Sequence, residues 1–260
     1  MAESAGLRGS PSSSYSSSSM GATHAELLRR RFPALLSVIS GMVDVIGYLS
    51  LKLFTAHVTG NIVIIAAQLV YGGPPRMDQI LAVPVFMLAV AGVWIVIQTL
   101  NRRGPNLAKL LLLIQLLLLI VVLVIAVIFH ADANPRSLVA NVTAMIAIAA
   151  MASQYSLLQL TMPGAPSTAV MTGNLTKTVL AFLETATKRQ PLIADSRDQL
   201  NKVVQVVIGF FVGCMVGAGA VSWLGDWAWC LPVILAGVAL AVAPGKHSAL
   251  SNQQSAKTPT

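Results

Sequence analysis

The chain has 260 residues, of which 55% are hydrophobic and 10% charged, and its mean hydropathy is +0.75. That composition excludes an ordinary soluble domain and puts the protein in a lipid bilayer. The net charge of +8 raises nucleic acid as a partner, but the Lys and Arg residues sit in tails and between apolar runs, with no basic face interleaved with aromatics. They read as topogenic charge, and nucleic acid is set aside.

Residues 1–28 are Ser-rich, with a Ser run at 12–19 broken only by Tyr15, and predict a disordered tail. Arg29-Arg30-Arg31 ahead of an apolar stretch has the form of a signal-peptide n-region. The stretch carries Asp44, lacks a small-x-small cleavage site and is followed by many more spans, so it reads as the first membrane span, residues 34–51. His57-Val58-Thr59-Gly60-Asn61 then opens a short apolar segment that runs to about residue 71. Full spans follow at 80–100, which contains Pro84, and at 107–129. The latter is the most lipid-like stretch, with Gln115 its one interior polar residue after Lys109, and is expected on the outside of the bundle.

The same order recurs. Spans are predicted at 138–160, 203–224 and 228–242, and Val170-Met171-Thr172-Gly173-Asn174 opens a second short segment that runs to about 184. Gly209, Gly213 and Gly217 fall four apart on one helix face, a pattern that lets backbones approach closely. Trp223, Trp227 and Trp229 read as an interfacial belt. Thr172 lies 113 residues after Thr59, which divides the chain into two related membrane halves, 29–131 and 132–243, followed by a polar tail, 244–260.

Each short segment covers about 20 Å of helix where a bilayer core is about 30 Å thick. Each therefore reads as a half-helix whose N-terminus lies inside the membrane, the sequence pointer to a transporter binding site. The expected fold is an all-α integral membrane protein of two pseudo-repeats, with six full transmembrane helices and two half-helices. Three spans per half invert the second half relative to the first; counting the short segments as spans gives eight and parallel halves. Both arrangements put the N-terminal arginines, the 185–201 loop and the C-terminal tail in the cytoplasm. The inverted one also puts Arg102, Arg103 and Lys109 inside, with Arg76 and Arg136 outside, and is preferred.

Asp44 is the one acidic residue near the middle of a span, where a carboxylate costs a few kcal/mol and faces a cavity or a partner. It is the candidate coupling group for a proton or cation, against a purely structural role in packing. Gln154 holds the corresponding place in the second half, once three residues are allowed for in the Met162–Pro166 turn. Thr59, Gly60, Asn61, Thr172, Gly173, Asn174 and Gln154 are the candidate substrate-binding set: helix N-termini offer unpaired N–H groups, and glycine allows close approach. The plain alternative is a capped helix break. His57 reads as a hydrogen-bonded loop residue before a proton relay, and Lys177 and Glu184 are given no role. Cys214 and Cys230 have neither disulfide nor metal spacing. No enzyme constellation is present, and neither a cofactor nor a metal is implied.

The segments Gly41-Met42-Val43-Asp44, Gly47-Tyr48-Leu49, Phe54 to Asn61, Met151-Ala152-Ser153-Gln154 and Met171-Thr172-Gly173-Asn174 resemble the YoaK family of bacterial inner-membrane proteins, over about residues 34–243. Ser153 departs from the glycine expected there. That family is functionally uncharacterised, so the resemblance implies the class and the inner membrane and adds no substrate. The expectation is a multi-pass secondary transporter of a small solute, with lipid as its surroundings and homo-oligomerisation left open. Its rival is a non-transporting scaffold or sensor that binds a partner through a tail or loop.

Overall fold

A computed structural model describes residues 15–71, 76–100, 105–130, 134–162, 165–169, 171–187 and 196–243. These form α1 (Tyr15–Leu51), α2 (Gly60–Val70), α3 (Met77–Leu100), α4 (Pro105–Phe129), α5 (Leu138–Thr161), α6 (Met171–Thr187), α7 (Ser196–Leu224), a 3-10 turn (Gly225–Trp229) and α8 (Cys230–Val242). Among the described residues five helical stretches are long and apolar enough to cross a membrane: Arg31–Leu51, Met77–Leu100, Asn106–Phe129, Leu138–Thr161 and Leu200–Val242. The last contains 43 residues, about 65 Å of helix if it were straight, roughly twice a bilayer core. It is broken at the 3-10 turn, where Gly225 has φ +55, a conformation open to glycine. Beyond the break, α8 packs on α4 and α1.

The tightest pairing is α1 with α7, and glycine is its cause. A Cβ on Gly41 would fall on the Phe210 carbonyl, one on Gly213 on the Val38 carbonyl, and one on Gly209 2.8 Å from the Ala34 carbonyl oxygen. At Gly217 it would stand 3.1 Å from Met42 Cα. The two backbones thus meet directly, as small residues permit between membrane helices, and Ser37 Oγ donates to the Val206 carbonyl at 2.6 Å. Helix α5 packs against α4 and α3 and also touches α1.

One end of the bundle is tied by charge. The Arg76 guanidinium pairs with the buried Asp78 and donates to the carbonyls of Leu51 at 2.9 Å and Pro135 at 2.5 Å. It thereby joins the end of α1, the start of α3 and the approach to α5. His130 Nδ1 lies 3.1 Å from Asp226 Oδ2, which links the end of α4 to the turn between α7 and α8.

Three details differ from the expectation. α4 is not the outermost helix: Gln115 is buried and bonds across to α5, and it is α3 whose most apolar window is only 11% buried against protein, compared with 33% for α4. Hydropathy measures tolerance of lipid, and a core-facing leucine satisfies it equally well. Trp229 is fully buried, while Trp223 is 90% exposed, so the tryptophans do not form one belt. Helix α1 starts at Tyr15, within the segment assigned to a tail; the rest of that tail, residues 1–14, and the C-terminal tail, 244–260, lie outside the described residues.

Candidate functional site

The chain turns back at the end of α1 through Lys52, a non-glycine residue at φ 59. Asp44 stands seven residues before Leu51 on α1, about 10 Å back along the helix axis, and is only 4% exposed. Its Oδ1 accepts the backbone N–H groups of Thr55 at 2.9 Å, Ala56 at 2.9 Å and His57 at 3.3 Å. Oδ2 lies 2.8 Å from His57 Nδ1. Successive amides aimed at one oxygen form an anion nest, and here the anion is supplied by the chain's own helix. The loop is therefore drawn back down beside α1, where Gly47 makes room: a Cβ there would stand 2.8 Å from Thr55 Cγ2.

Other bonds close the same loop. Thr55 Oγ1 donates to the Val43 carbonyl at 2.9 Å. The Asn61 side chain accepts from the Phe54 N–H and donates to the Phe54 carbonyl, both at 2.8 Å. Phe54 stacks on Tyr48 with centroids 4.9 Å apart, and a Cβ on Gly60 would come within 2.8 Å of its ring. From α5, Tyr155 donates its hydroxyl to the Ala56 carbonyl at 2.8 Å, so Ser40 Oγ, 3.1 Å away, donates to Tyr155. The His57 ring meets Phe210 of α7 edge-on at 5.0 Å, and its Nε2 is buried with no hydrogen-bond partner among the described residues. With Nδ1 donating to Asp44, Nε2 is the free ring nitrogen of the pair. Among the described residues no three His, Cys, Asp or Glu side chains are placed to hold a metal ion.

The structure thus joins Asp44, Gly60 and Asn61 in one site and adds His57, Phe54, Tyr155 and Ser40. Thr59 is exposed and makes no capping bond; Asn61, buried and reaching back seven residues, holds the helix start instead. The second copy behaves alike in one respect: Asn174, also buried, donates to the Ser167 carbonyl at 2.6 Å, again seven residues back, while Thr172 is exposed and Gly173 half-buried. In another respect it does not. Gln154 does not reach this second loop; it accepts from Gln115 of α4 at 2.7 Å and donates to the Leu36 carbonyl of α1 at 2.9 Å. No acidic residue of α5 is available to replace Asp44, because α5 contains none. Thr168 is fully buried and its hydroxyl has no partner among the described residues, and Ala169 N–H turns onto Ser167 Oγ at 3.2 Å. Positions 163, 164 and 170 lie outside the described residues.

A longer repeat marks both loops. Thr55-Ala56-His57-Val58-Thr59-Gly60-Asn61 and Thr168-Ala169-Val170-Met171-Thr172-Gly173-Asn174 share Thr-Ala-x-x-Thr-Gly-Asn. The first two positions of that pattern are the signal that would have placed Thr55 and Ala56 in the site from sequence. Ser40 and Tyr155 had no such signal, since each becomes a site residue only when α1 and α5 meet. Away from this region, a surface groove of about 240 Å³ opens between α4 and α8, lined by Asn106, Lys109, Leu110, Leu113 and Leu240.

Residues 32–242 match the model of a family described as a protein of unknown function, DUF1275. No curated protein and no solved structure matches the chain.

Proposed function

The chain belongs to the DUF1275 family of proteins of unknown function, and from that premise we propose that it is a secondary transporter of a small solute in a bacterial inner membrane. The resemblance to the YoaK proteins points to the same membrane. The observation that carries the reading is the first loop: α2 does not continue outward from α1 but starts beside Asp44, held by three amides on its carboxylate. Its 11 residues cover about 16 Å and lead back toward Arg76, whose guanidinium touches the Leu51 carbonyl at the end of α1. A helix that begins and ends on the same side of the core is re-entrant, and broken helices of this kind hold solutes and coupling ions near the midplane.

In this reading α1, α3, α4, α5, α7 and α8 are six spans, the 13-residue α8 crossing only together with the 3-10 turn that precedes it, α2 and α6 are re-entrant, and the second half is inverted. The pairings α1 with α7 and α5 with α3 exchange as any two-fold repeat of the halves requires, inverted or parallel, so the half-helix lengths and the charges carry the inverted choice. The Arg76 end, with Lys52 and Arg136, faces outward, and Arg31, Arg102, Arg103, Lys109 and Lys202 face the cytoplasm. Both termini are then cytoplasmic. His57 and Asp44 form the coupling pair, with the solute held by the starts of α2 and α6, and the protein carries out no covalent chemistry.

Two measurements test this. In proteoliposomes, solute-evoked currents driven by an imposed proton gradient are expected for the native chain and to be lost in His57→Gln, which keeps the amide nest intact. Currents unchanged in that variant would remove the coupling role, and no gradient-linked uptake of any solute would remove transport. For topology, a single cysteine at Gly104, in a background without Cys214 and Cys230, is expected to resist an impermeant label in intact cells and react after permeabilisation. Labelling in intact cells would mean eight spans and parallel halves.

A further inference from the structure

We propose that the groove between the start of α4 and the end of α8 seats an anionic phospholipid, with its phosphate on Lys109 and Asn106 and one acyl chain along Leu110, Leu113 and Leu240. The inference goes beyond the transport reading and does not depend on it.

His130, just past the end of α4, meets Asp226 in the turn before α8, so the first turns of α4 and the last turn of α8 share the opposite end of the bundle. The apolar stretch Asn106–Phe129 has 24 residues, about 36 Å of helix against a bilayer core of about 30 Å. Its first turn therefore stands at the level of the lipid headgroups. Side chains lean toward the N-terminus of their helix, which lets the Lys109 ammonium snorkel back to that level. In the orientation proposed above, this is the cytoplasmic leaflet.

The lining is sorted by chemistry. Asn106 and Lys109, three apart and so neighbours on the helix surface, supply an amide and a cation, and the other three residues are leucines. Lys109 is exposed and makes no hydrogen bond or ion pair with a described residue, and neither α4 nor α8 contains an acidic residue to meet it. A cation over an apolar furrow fits a ligand with an anion at one end and hydrocarbon at the other. The furrow also continues in the direction that a chain takes into the bilayer. Leu113, Leu117 and Val121 form an exposed apolar row on α4, and on α8 an added Cβ at Gly237, one turn before Leu240, would have no atom within 4 Å. Size argues against an enclosed solute: the groove holds about 240 Å³, below the roughly 300–1,000 Å³ of sites that enclose a drug-sized molecule. Its occupant is held along one face and remains part of the bilayer, where basic pockets between helices draw anionic headgroups.

The test uses the full chain in dodecyl maltoside micelles, with its unfolding midpoint followed by tryptophan fluorescence. The protein is titrated with dioleoyl phosphatidylglycerol, with dioleoyl phosphatidylcholine, which has the same chains and no net charge, and with glycerol phosphate, which has no chain. A ligand of the native state raises the midpoint with concentration. Phosphatidylglycerol is expected to do so at the lowest concentration, and glycerol phosphate not at all. Lys109→Gln removes an exposed charge without a described partner, so its lipid-free midpoint is expected to match that of the native protein. It should need about fivefold more phosphatidylglycerol for the same rise, the factor for one lysine at a membrane surface. Arg136→Gln, which removes an exposed charge at the other end of the bundle, is expected to respond as the native protein does. Equal responses to the two lipids, a response to glycerol phosphate, a native response in Lys109→Gln, or an equal loss in Arg136→Gln would each overturn the proposal.

Discussion

The two loops that precede α2 and α6 carry the same seven-residue pattern and the same asparagine bond, yet one is closed by Asp44 and the other is met by no acid among the described residues. The difference shows that the repeated motif specifies the asparagine tie at the helix start and not what closes the loop before it. Thr-Gly-Asn breaks the helix and lets asparagine tie the break; a residue on a separate helix decides whether the loop is closed from within.

The largest effect is expected where the filled loop is emptied. Asp44→Ala strands two buried amides, a part-buried third and a histidine, and should destabilise the folded protein by about 3–5 kcal/mol, read as loss of monodisperse protein in detergent or a sharply lower unfolding midpoint. Gln154→Ala, at the corresponding place, breaks two bonds between neutral groups and should cost about 2 kcal/mol. Equal losses would mean that Asp44 has no special hold on its loop.

Next comes the seam behind the first loop. Gly213→Ala drives a methyl group into the Val38 carbonyl and should cost about 1–3 kcal/mol. At Gly92, on α3, no atom lies within 4 Å of an added Cβ, and Gly92→Ala should be neutral or stabilising by up to about 1 kcal/mol. The unfolding midpoints of the two variants, measured side by side, test whether close approach is confined to α1 and α7.

Smaller still is the contrast between the two asparagines. Asn61 makes two bonds to Phe54, and Asn61→Ala should cost about 2 kcal/mol; Asn174 makes one to Ser167, and Asn174→Ala about 1 kcal/mol. The smallest is Thr55→Val, which loses one bond to Val43 and should cost about 1 kcal/mol. A Thr168→Val protein destabilised as much as Thr55→Val would show that the second hydroxyl is already satisfied, and the comparison between the loops would collapse.

Much of the architecture was legible along the chain, because span length, apolar content and helix breaks are local quantities. The predicted boundaries at 34–51 and 138–160 fall within a few residues of Arg31–Leu51 and Leu138–Thr161. The glycine ladder at 209, 213 and 217 does face a neighbouring backbone, though its mate, Gly41, could not be read from its own spacing. Asp44 was conspicuous for lack of company in an apolar span. Its partners were not, since a carboxylate in sequence says only that it needs donors, and the amides that supply them belong to a loop whose descent depends on the same contact. Gln154 shows the opposite failure: its register matched, but the packing of α5 between α4 and α1 turned its amide to Gln115 and Leu36.

The sequence by itself determined that this is a helical membrane protein, where its helices run and where two of them break, since each follows from the transfer cost of residues and the turn preferences of Thr, Gly and Asn over short stretches. Only the tertiary structure decided that Asp44 fills the first break and that Gln154 does not reach the second. Tyr155 reaches Ala56 across 99 positions and Gln154 reaches Leu36 across 118, and such pairings arise when helices dock, by satisfying buried polar groups that no local segment can satisfy alone.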